Sequence, residues 1–284
     1  MQARSSPSNR AITLAADSSD FIREKRINAL EPDFLGVPGV DVWLFAALTA
    51  GSFFTHFFGM VTGAAGGLML LAVLATAFPP VVVVPMHTIV QLVTNLGRVA
   101  IMRSYVIRDV LIPFLIGAVI GAMAGAQIFV ALSTGLLQGI IALFILLASW
   151  LPSVAGMGST GGRFGVVGFA ATFLGVFVSA TGTMVGPFVH HATADRHKYV
   201  ATYGALMAIM HTAKLAAFLS VGVALSAYAP LIVALTGAGI AATWAGRKAL
   251  DHMPERLFRT VFRFILTLLA LRLLWVAARE LGIF

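Results

Sequence analysis

The chain has 284 residues, of which 59% are hydrophobic and 11% charged, against about 25% charged in an ordinary soluble domain. With a mean hydropathy of +0.95, that much apolar surface cannot be hidden inside a water-soluble globule of this size, which excludes water-soluble enzyme folds. The chain has no Cys, which excludes disulfides, thiolate metal sites and Cys nucleophiles. The net charge of +8 is expected first in loops and against anionic lipid rather than on nucleic acid.

Residues 1–40 form an N-terminal tail, cytoplasmic or periplasmic. It is polar and Ser-rich at first, and 20–30 (DFIREKRINAL) has the pattern of a short amphipathic helix on a membrane surface. No apolar stretch with a small-residue cleavage site precedes it, so no cleavable signal peptide is expected. Eight apolar blocks follow, at 42–78, 79–104, 110–132, 136–151, 164–194, 199–223, 227–245 and 257–278. They are continuous and lack the alternation of membrane strands. The expectation is an all-α membrane protein, a polytopic helical bundle of about 8–10 membrane helices. The first and fifth blocks are too long for one ordinary span. Glycines interrupt them, at Gly59, Gly63, Gly66 and Gly67, and at Gly175, Gly182 and Gly186 with Pro187. Both blocks are therefore expected to be broken.

Blocks one to four (41–151) recur as blocks five to eight (164–284), joined by a Gly/Ser linker at 152–163. A shift of 116 places Gly59 on Gly175, Gly66 on Gly182, Asn95 on His211 and Arg98 on Lys214. A shift of 118 places Gly121 on Gly239 and Phe144 on Phe262. Loop charge swaps sides between the halves. Arg103 and Arg108 follow block two, whereas the matching 222–229 loop is uncharged. The 133–135 loop is uncharged, whereas its counterpart holds Arg247, Lys248, Arg256 and Arg259. By the positive-inside rule this predicts two inverted repeats. If each broken block is a hairpin, the short loops put both termini outside, while Arg23, Lys25 and Arg26 of the tail pull the other way.

Acidic residues are nearly absent from the apolar blocks. Asp109, at a loop, is the only one between residues 42 and 194, and there is none between 196 and 250. Cations do occur inside the blocks, so the interior is suited to anions. Arg98 and Lys214 are candidate substrate cations, with snorkelling to the interface as the alternative. Asn95 and His211 lie three residues before them, on the same helical face, where a donor beside a cation suits an oxyanion. The alternative role is an interhelical hydrogen bond. Gln91 and His87 extend the stripe, with Thr94 and Tyr203 as weaker members. His211 is also able to titrate.

The glycine breaks supply the second set of candidates. Free N–H groups at the start of a half-helix attract an anion, so Gly63, Gly66, Gly67, Gly182 and Gly186 are candidate substrate contacts. Thr62, Thr181 and Thr183 are hydroxyl donors beside them. Close helix packing is the alternative for these glycines and the main expectation for Gly117, Gly121 and Gly125. His190, His191, Asp195 and His197 lie at a loop and read as a gate or a solvated link; no metal site and no cofactor are expected. Arg247, Lys248, Arg256, Arg259 and Arg263 read as headgroup and topology charge. Arg272 leaves snorkelling and pathway both open, and Trp43, Trp150 and Trp275 read as interface anchors.

These motifs resemble the TauE/SafE family of sulfite-exporter-like membrane transporters. The first half reads GMVTGAAGGLMLLAVLATAFPP at 59–80, then a polar-centred helix, Arg108-Asp109-Val110 and the Gly117 to Gly125 helix. The second half reads GVFVSATGTMVGPFV at 175–189, a short charged link and another polar-centred helix. The likeness runs over about residues 42–280. Thr183-Met184-Val185 loosens the family's tight glycine cluster, and His190-His191 with Asp195 is a polar addition. The resemblance implies export or uptake of small sulfur-containing oxyanions, organic sulfonates or related organic acids; rocking of the two repeats would give alternating access, in a multi-pass protein of the inner (plasma) membrane. Its partners would be a small anion, the lipid bilayer and further copies of the chain in a homo-oligomer. The alternatives are an anion channel and a carrier of other small organic acids. An enzyme is not expected, since no Ser-His-Asp set or metal triad is apparent.

Overall fold

The computed structural model describes residues 33–62, 66–150, 161–179, 181–223, 225–249 and 255–283. The amphipathic segment at 20–30, the candidate Gly63, most of the 152–163 linker and the side chains of Thr62, Trp150, Arg256, Arg259 and Arg263 lie outside this description. Ten α-helices run through the described residues: α1 Val42–Thr62, α2 Gly66–Ala75, α3 Pro80–Met102, α4 Leu111–Phe129, α5 Thr134–Trp150, α6 Gly161–Val178, α7 Gly182–Ala192, α8 Arg196–Ser220, α9 Ala229–Ala249 and α10 Glu255–Glu280.

Both over-long blocks are divided at their glycines, into α1 with α2 and α6 with α7. Pro80 opens α3, where a missing N–H costs nothing. Asp195 caps α8, its side chain accepting from the N–H of His197 at 2.7 Å and of Lys198 at 3.1 Å. Among the described residues, four stretches are long and apolar enough to cross a membrane, at Val42–Val61, Pro80–Tyr105, Arg108–Phe129 and Ser226–Ala249. Shorter apolar helices lie at Gly66–Ala75, Thr134–Leu147 and Gly162–Val178. This is the architecture of a polytopic helical membrane protein.

The helix pairs are reciprocal. α4 packs along α6 and α9 along α1; α4 also meets α8, and α9 meets α3. Each half thus sends its fourth helix onto the first and third helices of the other half. α3 packs on α8 between them, and α5 pairs with α10. The α4–α6 contact is made by glycine. A methyl on Gly117 would strike the Gly165 carbonyl, and one on Gly168 the Phe114 carbonyl. Ala118, Ala122 and Ala126 of the same face are buried, while Ile112, Ile116, Ile120 and Met123 on the opposite face are exposed, as lipid-facing residues are.

Trp43 and Trp275 are exposed, and Arg279 lies over the Trp275 ring at 4.2 Å. Arg272 is exposed on α10, which removes it from any interior pathway.

Candidate functional site

The residues that the membrane-like interior should exclude gather in one place. His56 of α1, His87, Gln91, Asn95 and Arg98 of α3, and Tyr203 and His211 of α8 line one cavity. The first turns of the two half-helices open onto it through Gly66, Gly67 and Gly182. Ser179, at the α6–α7 break, completes the polar wall. Leu68, Met207 and Met210 supply an apolar side.

The α3 residues reach the cavity because 87, 91, 95 and 98 recur at helical spacing on one face. α8 repeats the arrangement 116 residues later, with Tyr203, Met207 and His211 standing for His87, Gln91 and Asn95. The glycines are required by contact. A Cβ on Gly66 would lie 2.7 Å from the Gly59 Cα; one on Gly67 would strike the Gln91 amide, and one on Gly182 the Tyr203 hydroxyl. The start of α7 turns its N–H end toward the cavity, where the Met184 N–H is taken by the Thr181 carbonyl at 2.9 Å and the Gly182 and Thr183 N–H groups precede the helix's own acceptors.

Hydrogen bonds orient the wall. His56 Nδ1 gives its proton to the Ser52 carbonyl at 2.8 Å, and His87 Nε2 gives its proton to the Gly67 carbonyl at 2.8 Å. The Gln91 amide lies between the two rings, 3.2 Å from His56 Nε2 and 3.3 Å from His87 Nε2. It satisfies both neutral rings when its N–H faces His56 and its carbonyl faces His87. Asn95 Nδ2 donates to the Gln91 backbone carbonyl at 2.7 Å, which leaves its second N–H available. The carbon stem of Arg98 fills the gap left by Gly204, where a Cβ would lie 2.8 Å from the Arg98 Cδ.

Two polar atoms of this wall, Arg98 Nε and His211 Nδ1, are buried and meet no hydrogen-bond partner among the described residues. An unmet buried donor costs about 1–3 kcal/mol, more when charged. The wall as described contains no carboxylate. A cationic group and an imidazole nitrogen are therefore held ready, without a protein counter-ion, beside the N-terminus of α7.

Seven of the twelve residues expected from sequence line the cavity: Gln91, Asn95, Arg98, His211, Gly66, Gly67 and Gly182. Four do not. Lys214 is fully buried behind the wall, with Nζ donating to Ser179 Oγ at 3.1 Å. Thr181 uses its hydroxyl on the Ala171 carbonyl at 2.6 Å. Thr183 and Gly186 lie farther along α7. Sequence reasoning missed His56, Gly59, Ser179, Leu68, Met207 and Met210. The spacing of four between Ser52 and His56 in an otherwise apolar block was a usable signal for His56. Ser179 had a weaker one, standing at the shift of 116 where the first half has Gly63. Its φ of 61° is a left-handed conformation that costs a side-chain-bearing residue about 1–2 kcal/mol.

His190 and His191 are exposed at the end of α7, His190 against the Tyr199 ring at 6.0 Å, and Asp195 is occupied as the α8 cap. Arg196, on the same link, donates to the Val61 carbonyl at 2.6 Å, tying the start of α8 to the end of α1 beside its break.

A family model described as "Sulfite exporter TauE/SafE" matches residues 48–273. No curated protein and no solved structure matches the chain.

Proposed function

The chain belongs to the sulfite exporter TauE/SafE family, and on that premise we propose that the cavity between α1, α3 and α8 is the substrate site of an alternating-access carrier for small sulfur oxyanions and organic sulfonates. Membership implies a multi-pass membrane protein that transports sulfite or related anions, and transport rather than catalysis. The substrate site, the mechanism and residence in the plasma membrane are our reading.

The observation that carries it is the pair of unmet atoms, Arg98 Nε and His211 Nδ1, in a wall whose described residues include no carboxylate. An oxyanion satisfies both, neutralises the guanidinium and accepts from Asn95 and from the first turn of α7. A sulfur centre with three oxygens reaches donors on several helices at once. Met207, Met210 and Leu68 suit a small apolar substituent.

Two inverted repeats, 41–151 and 164–284, are supported by the reciprocal packing of α4 on α6 and α9 on α1, and by the matched positions lining the cavity. Rocking of one repeat against the other would open the site to each side in turn.

Uptake of radiolabelled sulfite or methanesulfonate into proteoliposomes tests the reading. Arg98→Gln is expected to lower saturable uptake by roughly tenfold to a hundredfold, the loss of a charge-assisted hydrogen bond. Wild-type uptake by a correctly folded Arg98→Gln protein overturns the site. Ohmic current in place of saturable counterflow overturns the carrier in favour of a channel.

A further inference from the structure

Lys214 has no evident duty at the cavity wall. It is fully buried, and among the described residues its Nζ has one hydrogen bond, to Ser179 Oγ at 3.1 Å. Ser179 Oγ in turn lies 2.8 Å from His87 Nδ1. The direction of that second bond follows from the far side of the ring. His87 Nε2 faces the Gly67 carbonyl at 2.8 Å, so Nε2 carries the proton and Nδ1 of the neutral ring accepts. The Ser179 proton goes to Nδ1 rather than to the Val84 carbonyl, which is farther away at 3.3 Å. A continuous chain therefore runs from Lys214 Nζ through Ser179 Oγ and the His87 imidazole to the cavity, where Ser179 and His87 both form part of the wall.

On the reading above that this cavity carries an anion, we infer that Lys214 is the proton carrier of an anion–proton symporter, loaded and emptied through Ser179 and His87. Of the two interior cations, arginine keeps its proton in proteins whereas lysine can exchange it. Arg98 is thus the standing charge and Lys214 the one able to cycle. An anion entering beside Arg98 compensates the ammonium of Lys214. When the anion leaves, a bare ammonium in the interior is unfavourable, and the proton leaves with it.

The transfer balances. On unloading, the Lys214 Nζ–H bond breaks and its proton goes to Ser179 Oγ, while the Ser179 proton passes to His87 Nδ1. The imidazolium so formed releases its Nε2 proton to water in the cavity. The products are a neutral amine, an unchanged serine hydroxyl and a neutral His87 protonated on Nδ1. Loading is the reverse, with water in the cavity as proton donor, so the ring need not rotate. In the second form the Gln91 amide can donate to the bare His87 Nε2 by turning over, which gives up its bond to His56 Nε2 and makes this form the less favoured, transient one.

The groups around Lys214 fit one titrating lysine. His87 approaches it from α3 and His211 lies one turn away on α8; Arg98, His56 and Tyr203 are the other ionisable members of the cavity wall. α4 carries no ionisable residue, α6 only Arg163 at its exposed start, and α7 only His190 and His191 at its exposed end. The Ser179 backbone supports a role for the hydroxyl. A glycine would adopt φ 61° without strain, yet a serine stands there with Lys214 and His87 on its oxygen.

Full-length protein in proteoliposomes with an internal pH dye tests this, with methanesulfonate as the probe because it holds no proton of its own near neutral pH. Two rates are measured, counterflow of the labelled sulfonate and its accumulation driven by a pH gradient. The wild type is expected to show both, with sulfonate-dependent proton movement. Lys214→Gln is expected to keep counterflow, which exchanges loaded states, and to lose accumulation and the dye signal. If Lys214→Gln does not fold, Ser179→Ala carries the test, with the ratio of accumulation to counterflow expected to fall at least about tenfold. Wild-type counterflow without proton movement, accumulation by Lys214→Gln, or an unchanged ratio in Ser179→Ala overturns the inference. Absence of counterflow of methanesulfonate and of sulfite in the wild type overturns the transport reading beneath it.

Discussion

α3 and α8 occupy matching places in the two halves and pack on each other across the cavity, yet they furnish it differently. α3 presents a polar row of His87, Gln91, Asn95 and Arg98. α8 presents Tyr203, Met207, Met210 and His211, and its cation, Lys214, is turned behind Ser179. The backbone arrangement is shared and the chemistry is divided. Arg98 stands in the wall, and Lys214 is enclosed behind it with its ammonium on Ser179, where the proposal above makes it the exchangeable charge.

The largest effect that could break this contrast is in binding. Arg98→Met is expected to weaken sulfite or sulfonate binding by roughly a hundredfold, whereas Lys214→Met, which removes a charge the anion meets only from behind Ser179, weakens it by less. Equal losses, measured by calorimetry on purified protein, would mean that both cations touch the anion. The glycine breaks sharpen the contrast next. Gly182→Ala sets a methyl against the Tyr203 hydroxyl, at the end of a rigid ring, and Gly67→Ala sets one against the amide of a flexible Gln91. Overpacking costs about 1–3 kcal/mol where the neighbour cannot yield, so Gly182→Ala should impair uptake more than Gly67→Ala.

Stability separates the contact helices from the rest. Gly168→Ala meets the Phe114 backbone and is expected to destabilise the α4–α6 pair by about 1–3 kcal/mol, seen as a lower melting temperature in detergent. Gly237 has nothing within 4 Å of its added methyl, and Gly237→Ala should leave melting unchanged or slightly raised.

The smallest effect concerns the α8 cap. The Lys198 backbone N–H, followed by that of His197, holds the Asp195 carboxyl below the usual carboxylate range. Because its folded value lies below the unfolded one of about 3.9, the contribution is complete above that pH and is lost as pH falls through the lower folded value. Asp195→Ala should therefore lower the melting temperature slightly near neutral pH, and the difference from wild type should vanish on strong acidification.

Much of this was legible in the residues. Continuous apolar runs can satisfy their backbone in a membrane only as helices, and two over-long runs rich in glycine had to break. Asn95, Arg98 and His211 stood out because a polar group inside an apolar helix is expensive and calls for a reason. His56 was harder to see, because its block looked apolar as a whole and one imidazole hardly alters that pattern. Met207 and Met210 were invisible as wall residues, since an apolar residue in an apolar helix carries no signal of what it faces. Lys214 was found, and the structure encloses it behind the cavity lining. Helical spacing put it on the same stripe as His211, and only the course of the chain through Ser179 sets a hydroxyl between its ammonium and the cavity.

The sequence by itself determined the helical membrane fold, the two breaks and the cationic, acid-poor interior. Each of these follows from local composition and from periodicity along one chain. Tertiary structure alone decided which of those cations is exposed to the cavity and which is enclosed. That depends on contacts between residues about ninety positions apart, such as His87 with Ser179, and no pattern within a single helix encodes them.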